Sequence, residues 1–173
     1  MLKKYGSGNP SQLHPMSLSF AFSSVPHAIA TFFGSGLLRP ASGTWGTFAA
    51  WILFYLTRQY FSVPVWILII TATFFIGAWA SEITGKDIGV HDHSSIVIDE
   101  VFAVWLVQLT LPHTLPYQLA AFAAFRFFDI VKIPPASYFD TSPLWKNGFG
   151  VMLDDLVAAV QAILLLQLIK LFL

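Results

Sequence analysis

The sequence predicts an all-α, polytopic membrane protein with about four transmembrane helices plus a short interfacial or re-entrant N-terminal helix. Three observations carry this. Of 173 residues, 56% are hydrophobic and only 10% are charged, against about 25% charge in a soluble domain, so the chain cannot clothe itself in a solvated surface. The apolar residues gather into long runs separated by polar, turn-rich stretches, the pattern of helices that cross a bilayer. The charged and glycine-rich motifs sit at the ends of those runs. The length fits one domain: a polar, flexible N-terminus over 1–17 and a single membrane-embedded domain over 18–173.

Composition also excludes. The formal net charge is zero, which argues against nucleic acid and leaves membrane lipids as the expected surroundings. Cysteine is absent, so there is no disulfide framework, thiolate zinc site or cysteine nucleophile. Lys3 and Lys4 are followed by Gly, Ser, Pro and Gln, not by the apolar core of a cleavable signal.

Residues 18–33 are apolar but interrupted by Ser23, Ser24, Pro26 and His27. Val25, Ile29, Phe32 and Phe33 recur at helical spacing there, which favours a tilted interfacial helix over a span. The stretch 34–47 holds four glycines, several hydroxyls and Arg39. Glycine lets backbone N–H groups approach a ligand closely, and a helix N-terminus favours anions. With Arg39, Ser42 and Thr44 in that loop, phosphate binding is one reading; a plain break between helices is the other. Runs at 45–60 and 62–80 follow, joined by a polar turn, with Pro64 suited to the first turn of the second helix. Further helices are expected at 96–111, 117–131 and from about 151 to 173, with His113 in a solvated turn. Trp51, Tyr55, Tyr60 and Trp66 read as interfacial or packing aromatics. If the runs alternate across a bilayer, the loops at 34–47, 81–98 and 129–150 share one face. With an interfacial first segment, Lys3, Lys4, Arg39, Lys86, Arg126, Lys132 and Lys146 lie on that face, and only Arg58 and Lys170 lie opposite. The positive-inside rule then makes the motif face cytoplasmic.

The stretch 85–100 holds four of the nine acidic residues and two of the five histidines, pressed between apolar runs. Carboxylates so near hydrocarbon are costly unless paired, metal-bound or facing water. Acids return at Asp129 and at Asp154 and Asp155, each at the edge of an apolar run. Asp99, Glu100, Asp129, Asp154 and Asp155 thus offer five carboxylates on the ends of three helices, oxygen donors of the kind Mg²⁺ prefers. Adjacent helical residues diverge by about 100°, so one member of each acidic pair is expected to point inward. Arg126, Asp129 and Lys132 share a helix face by their spacing. Two plainer readings compete. Acids at helix N-termini complement the dipole, which suits Asp154 and Asp155 but not Asp129. Buried ion pairs account for Asp129 with Arg126 or Lys132. His91-Asp92-His93 invites zinc, but such sites usually show further His or Cys, and only His14, His27 and His113 remain. A role as general acid or in ordering the loop fits one of these histidines better.

Four strings resemble bacterial phosphatidylglycerophosphatase A: Gly34-Ser-Gly…Pro40-Ala-Ser-Gly-Thr-Trp-Gly46, Lys86-Asp-Ile-Gly-Val-His-Asp-His-Ser-Ser-Ile-Val-Ile-Asp-Glu100, Phe125-Arg-Phe-Phe-Asp-Ile-Val-Lys-Ile-Pro-Pro135 and Gly150-Val-Met-Leu-Asp-Asp-Leu-Val157. The similarity runs from about residue 24 to 160. Ser94 stands where a glycine is often found and Ile133 where proline would follow lysine; neither departure removes a charged group. The resemblance implies a Mg²⁺-dependent phosphatase of the bacterial cytoplasmic (inner) membrane, with its active site facing the cytoplasm. Its substrate would be phosphatidylglycerophosphate, and its products phosphatidylglycerol and inorganic phosphate. On that footing Asp99, Glu100, Asp154 and Asp155 form the metal or base set, with Asp129 as a further ligand and His93 as a catalytic candidate. Arg39, Ser42, Thr44, Lys86, Arg126 and Lys132 are the candidates for holding phosphate. The residues agree where they can be checked: the chain has no cysteine nucleophile, no DxDx(T/V) string and no Ser-Gly-His or Arg-His motif of the phosphatidic-acid-phosphatase type. Metal-activated water attack is then the economical mechanism. A small membrane ion or phosphate carrier is the alternative class, since intramembrane acids also mark transport paths. The collection of acids at one membrane edge argues against it.

Overall fold

Among the described residues the chain is helical, with no strand. The computed structural model describes residues 11, 14–136, 138 and 143–172; positions 1–10, 12, 13, 137, 139–142 and 173 lie outside it. Most of the expected flexible N-terminus, including Lys3 and Lys4, and part of the polar loop before the last helix therefore fall outside the described residues.

The segment expected as one interfacial helix folds as two short ones, α1 (Leu18–Ala21) and α2 (Val25–Ala30). The serines divide it. Ser17 Oγ accepts from Phe20 N at 3.1 Å and Ser24 Oγ from His27 N at 3.4 Å, so each starts its own helix. Phe32, Phe33 and Gly34 all take positive φ, closing the turn with Phe33 N donating to Ala28 O at 2.7 Å. A helix of this length covers about 9 Å, far short of the roughly 30 Å hydrocarbon core, so neither piece crosses a membrane.

Five longer helices follow: α3 (Ser42–Thr57), α4 (Val63–Ile88), α5 (Ile98–Leu109), α6 (Leu115–Val131) and α7 (Gly148–Leu171). Pro64 and Pro116 stand in the first turns of α4 and α6, where a missing N–H costs nothing. Helix α4 runs well past its expected end at 80. Glu82 and Lys86 pair one turn apart at 2.8 Å, and Gly89 (φ 76°) stops the helix in a left-handed cap. The first part of the acidic stretch, 85–88, is therefore the last turn of α4, and the loop proper is only 89–97. Among the described helices only α4 and α7 are individually long and apolar enough to cross a bilayer, fewer than the expected four.

Helix α5, only about 18 Å long, is the centre of the bundle. It packs against α3, α4, α6 and α7, and ten of its twelve residues are buried. Small residues let the long helices close around it. A Cβ at Gly77 would stand 2.8 Å from Met152 Cε and 3.2 Å from Ile98 Cγ1. At the end of α5 away from the acids, the buried amides of Gln108 and Gln118 bond each other at 2.8 Å, and Trp51 Nε1 donates to Gln118 O at 2.7 Å. These bonds tie α3, α5 and α6 and give the Gln118 amide and the Gln108 Nε2 donor partners in an apolar interior. The outer surface keeps large apolar side chains exposed, among them Leu68, Phe75, Trp79, Leu164 and Leu168. Chain direction gathers the starts of α3, α5 and α7 and the ends of α4 and α6 at one end of the bundle.

Candidate active site

That end holds the acids. Asp99 and Glu100 lie in the first turn of α5, while Asp155 comes from α7, two turns beyond its start. One carboxylate oxygen from each lies within 4.8 Å of the others, and the three residues are 2–3% exposed. Both Asp99 and Glu100 reach the cluster, although one of the pair was expected to turn away; the extra methylene of Glu100 lets it bend back. In the second pair Asp155 joins the cluster, while Asp154, also buried, makes an ion pair with Lys132. Neither Asp154 nor Asp155 is in the first turn of α7, so the dipole does not explain them.

The cations come from α6. Arg126 is 6% exposed and its Nη1 makes an ion pair with Asp129, lying also 3.7 Å from Glu100 Oε1. Its Nη2 donates to Thr44 Oγ1 at 3.3 Å, and Nη1 to Thr47 Oγ1 at 3.4 Å. The glycine at residue 43 leaves room for the Glu100 carboxylate against α3: a Cβ there would collide with Glu100 Oε1 and stand 3.3 Å from Arg126 Nη1. Thus α3, α5, α6 and α7 each place a group at one point.

Five carboxylates, Asp99, Glu100, Asp129, Asp154 and Asp155, face two cations, Arg126 and Lys132. Buried like charges so arranged require a further positive charge or protonation. Glu100 Oε2 and Asp155 Oδ2 are buried and accept no hydrogen bond among the described residues. An all-oxygen set with unused lone pairs fits a hard divalent cation.

The other expected groups are placed differently. Ser42 is buried and donates to Ser94 O. Arg39 is exposed, its guanidinium donating to Ser94 Oγ at 3.0 Å and Ser95 Oγ at 3.4 Å. Lys86 stays on the surface with Glu82. Of the expected phosphate groups, the structure brings together Thr44, Arg126 and Lys132 with the acids. His93 is fully buried between two partners, with Nε2 donating to His14 O at 2.9 Å and Nδ1 accepting from Ser95 N at 3.0 Å. Burial, assisted by the nearby Arg39 charge, holds its pKa below the ordinary histidine value despite the bond to His14 O. It is a neutral imidazole that orders the loop. Ser11 Oγ accepts from Ser94 N at 3.0 Å, a contact that no sequence pattern indicated. Nor did any pattern indicate the bond of His27 Nε2 to Asp87 Oδ2 at 2.9 Å; His27 looked like an isolated histidine in an apolar run.

A helix bundle with an apolar outer surface thus gathers acids and fixed cations at one end. A family model described as phosphatidylglycerophosphatase A matches residues 28–170, and the chain belongs to that family. It is therefore a lipid phosphatase of phosphatidylglycerol synthesis. The chain is 43% identical over 146 residues to phosphatidylglycerophosphatase A of Haemophilus influenzae, covering 83% of this chain and 88% of that protein. It is 37% identical over 135 residues to the Escherichia coli protein of the same name, covering 78% and 77%. A Bacteroides thetaiotaomicron protein, provisionally named a phosphatidylinositol-3-phosphatase, is 36% identical over 155 residues, covering 84% and 94%. No solved structure matches.

Proposed function

We propose that the site hydrolyses the terminal phosphate monoester of phosphatidylglycerophosphate, with Mg²⁺ held by Asp99, Glu100 and Asp155. The observation that carries this is the trio of buried carboxylates within 4.8 Å of one another, two of which present unbonded oxygens. When bound, Mg²⁺ would neutralise phosphoryl oxygens and make water a better nucleophile. The chain's own groups do the rest. Arg126, steadied by Asp129, Thr44 and Thr47, offers a fixed guanidinium to the phosphate. Lys132, half-buried on the cap of α6, is the second cation and is oriented by Asp154. A carboxylate of the cluster takes a proton from the attacking water, and the leaving glycerol oxygen regains one as the P–O bond breaks. Asp129 serves Arg126 and not the metal, and His93 acts through the loop.

The same proposal sets the protein as a multi-pass protein of the bacterial inner membrane. Helices α4 and α7 are full spans, α3 and α6 are shorter crossings around the buried α5, and α1 and α2 lie at the interface. Arg39, Lys86, Arg126, Lys132 and Lys146 stand at the site end and Arg58 and Lys170 at the other, which favours a cytoplasmic site. The test is phosphate release by detergent-purified protein. Phosphatidylglycerophosphate should be hydrolysed with Mg²⁺, not in EDTA, and again when Mg²⁺ is restored. Full activity in chelator from metal-free protein would refute the metal assignment. Faster turnover of phosphatidylinositol 3-phosphate would move the substrate assignment to that lipid.

A further inference from the structure

Phosphatidylglycerophosphate carries two anions: the terminal monoester that is hydrolysed and, one glycerol away, the phosphodiester that joins the headgroup to the lipid. The cations among the acids serve the first. Arg126 and Lys132 are each bonded to a carboxylate there, and Lys86 is paired with Glu82 on the surface. A diester brought up to five carboxylates without a cation of its own meets like charge.

Arg39 has its charge uncommitted. Its Nη1 donates to Ser94 Oγ at 3.0 Å and its Nη2 to Ser95 Oγ at 3.4 Å, and no carboxylate pairs with it among the described residues. Two neutral hydroxyls fix the guanidinium without cancelling its charge. Three of its five N–H donors, that on Nε and one on each Nη, make no bond among the described residues, and the residue is exposed. The anchor itself is held. Ser94 and Ser95 are buried, with Ser94 N donating to Ser11 Oγ and Ser95 N to His93 Nδ1, both at 3.0 Å. A cation positioned in advance loses less freedom when it meets an anion.

The same stitching sets Arg39 beside the reaction centre. Ser94 accepts from the Arg39 guanidinium through its hydroxyl and from Ser42 Oγ through its carbonyl. The residue after Ser42 is Gly43, which lies against Glu100 Oε1. On the other strand of the loop, Asp99 follows Ser95 by four residues. Lys146, also at this end, has no such anchor among the described residues. Resting on the phosphatase reading above, we propose that Arg39, held by Ser94 and Ser95, binds the phosphodiester of the lipid substrate. It thereby selects lipids with a second phosphate behind the scissile one.

The two products separate the two anions, since phosphatidylglycerol keeps the diester and inorganic phosphate is the former monoester. The test measures hydrolysis of short-chain, water-soluble phosphatidylglycerophosphate with Mg²⁺, with each product added as a competitive inhibitor. Arg39→Gln should raise KM and the inhibition constant of short-chain phosphatidylglycerol together, each about tenfold, the order of one charge-assisted contact. Its kcat and its inhibition constant for inorganic phosphate should stay within about twofold of wild type, as for a contact equal in ground and transition states. Arg39→Lys keeps the charge but loses the fork, so it should fall between; it carries the comparison if Arg39→Gln does not fold. Lys146→Gln should change none of these constants. Equal rises in both inhibition constants, or a loss of kcat with KM unchanged, would overturn the proposal and make Arg39 a support of the 89–97 loop. An unchanged constant for phosphatidylglycerol in Arg39→Gln would overturn it too, as would an equal rise in Lys146→Gln or a wild type that phosphatidylglycerol does not inhibit. Wild-type protein that releases no phosphate from phosphatidylglycerophosphate would instead refute the phosphatase reading on which the assignment rests.

Discussion

Replacing Gly43 by alanine adds one methyl at the closest approach of α3 to the acids. The new Cβ would collide with Glu100 Oε1 and stand 3.3 Å from Arg126 Nη1. The obstacle is the end of a flexible side chain, so the bundle can fold, but Glu100 must withdraw its oxygen by on the order of 1 Å, and a displacement of that size can cost about 10²-fold in rate. Stability should change little. Overpacking costs about 1–3 kcal/mol, and the better helix propensity of alanine returns up to about 1 kcal/mol. The matched comparison is Gly46→Ala, whose Cβ would meet Val97 Cβ at 2.6 Å and Cγ2 at 2.7 Å. That neighbour is stiff, apolar and outside the carboxylate cluster. Phosphate release at saturating Mg²⁺ and Tm in detergent separate the two. Gly43→Ala should lose about 10²-fold in kcat with a Tm near wild type, on the magnitude just given. Gly46→Ala should lose Tm first while its folded fraction keeps most of its activity. Wild-type kcat in Gly43→Ala would refute the placement of Glu100 in the reaction centre.

Two further outcomes are expected. The pKa of His93 is lower folded than unfolded, so its contribution to stability is fully present above the unfolded value, about pH 6.5, and is lost as pH falls through the folded value. Tm of wild type should decline on acidification below that point, and His93→Gln should flatten the decline while retaining activity at neutral pH; near-complete loss of kcat in a folded His93→Gln would give this residue a direct catalytic role. Single cysteines at the exposed Leu38 and Lys146 should label only from the cytoplasmic side, and those at Gln59 and Thr114 only from outside. Labelling of Leu38 and Lys146 from opposite sides would break the alternation that brings the motif loops together.

The helical class and the gathering of motifs at one end were legible because apolar runs and their charged ends survive any detail of packing. Boundaries were less so. Residues 81–88 read as loop because they are polar, yet the Glu82–Lys86 pair and the Gly89 cap carry α4 through them. The run at 96–111 read as a span by hydropathy, whereas α5 is short and enclosed on all sides, a distinction that composition does not encode. The identities of the acids were visible, but their partition was not. Rotation by residue number places Asp99 and Glu100 on different faces, and only side-chain length brings both to Asp155. The glycines of the 34–47 stretch suggested a phosphate cradle. Gly43 and Gly46 instead admit Glu100 and Val97, and such close approach depends on tertiary neighbours far along the chain. Arg126 with Asp129 was foreseeable from spacing alone, because both lie on one helix.

Under the proposed mechanism Asp99, Glu100 and Asp155 together hold the metal on which hydrolysis depends. The most direct test is a Mg²⁺ titration of phosphate release from phosphatidylglycerophosphate by wild type, Asp99→Asn, Glu100→Gln and Asp155→Asn. These changes keep shape and remove charge. Each variant should remain folded, require more Mg²⁺ for half-maximal rate, and fall short of the wild-type maximum by about 10² or more. Wild-type rates and an unchanged Mg²⁺ midpoint in all three variants would place the reaction centre elsewhere.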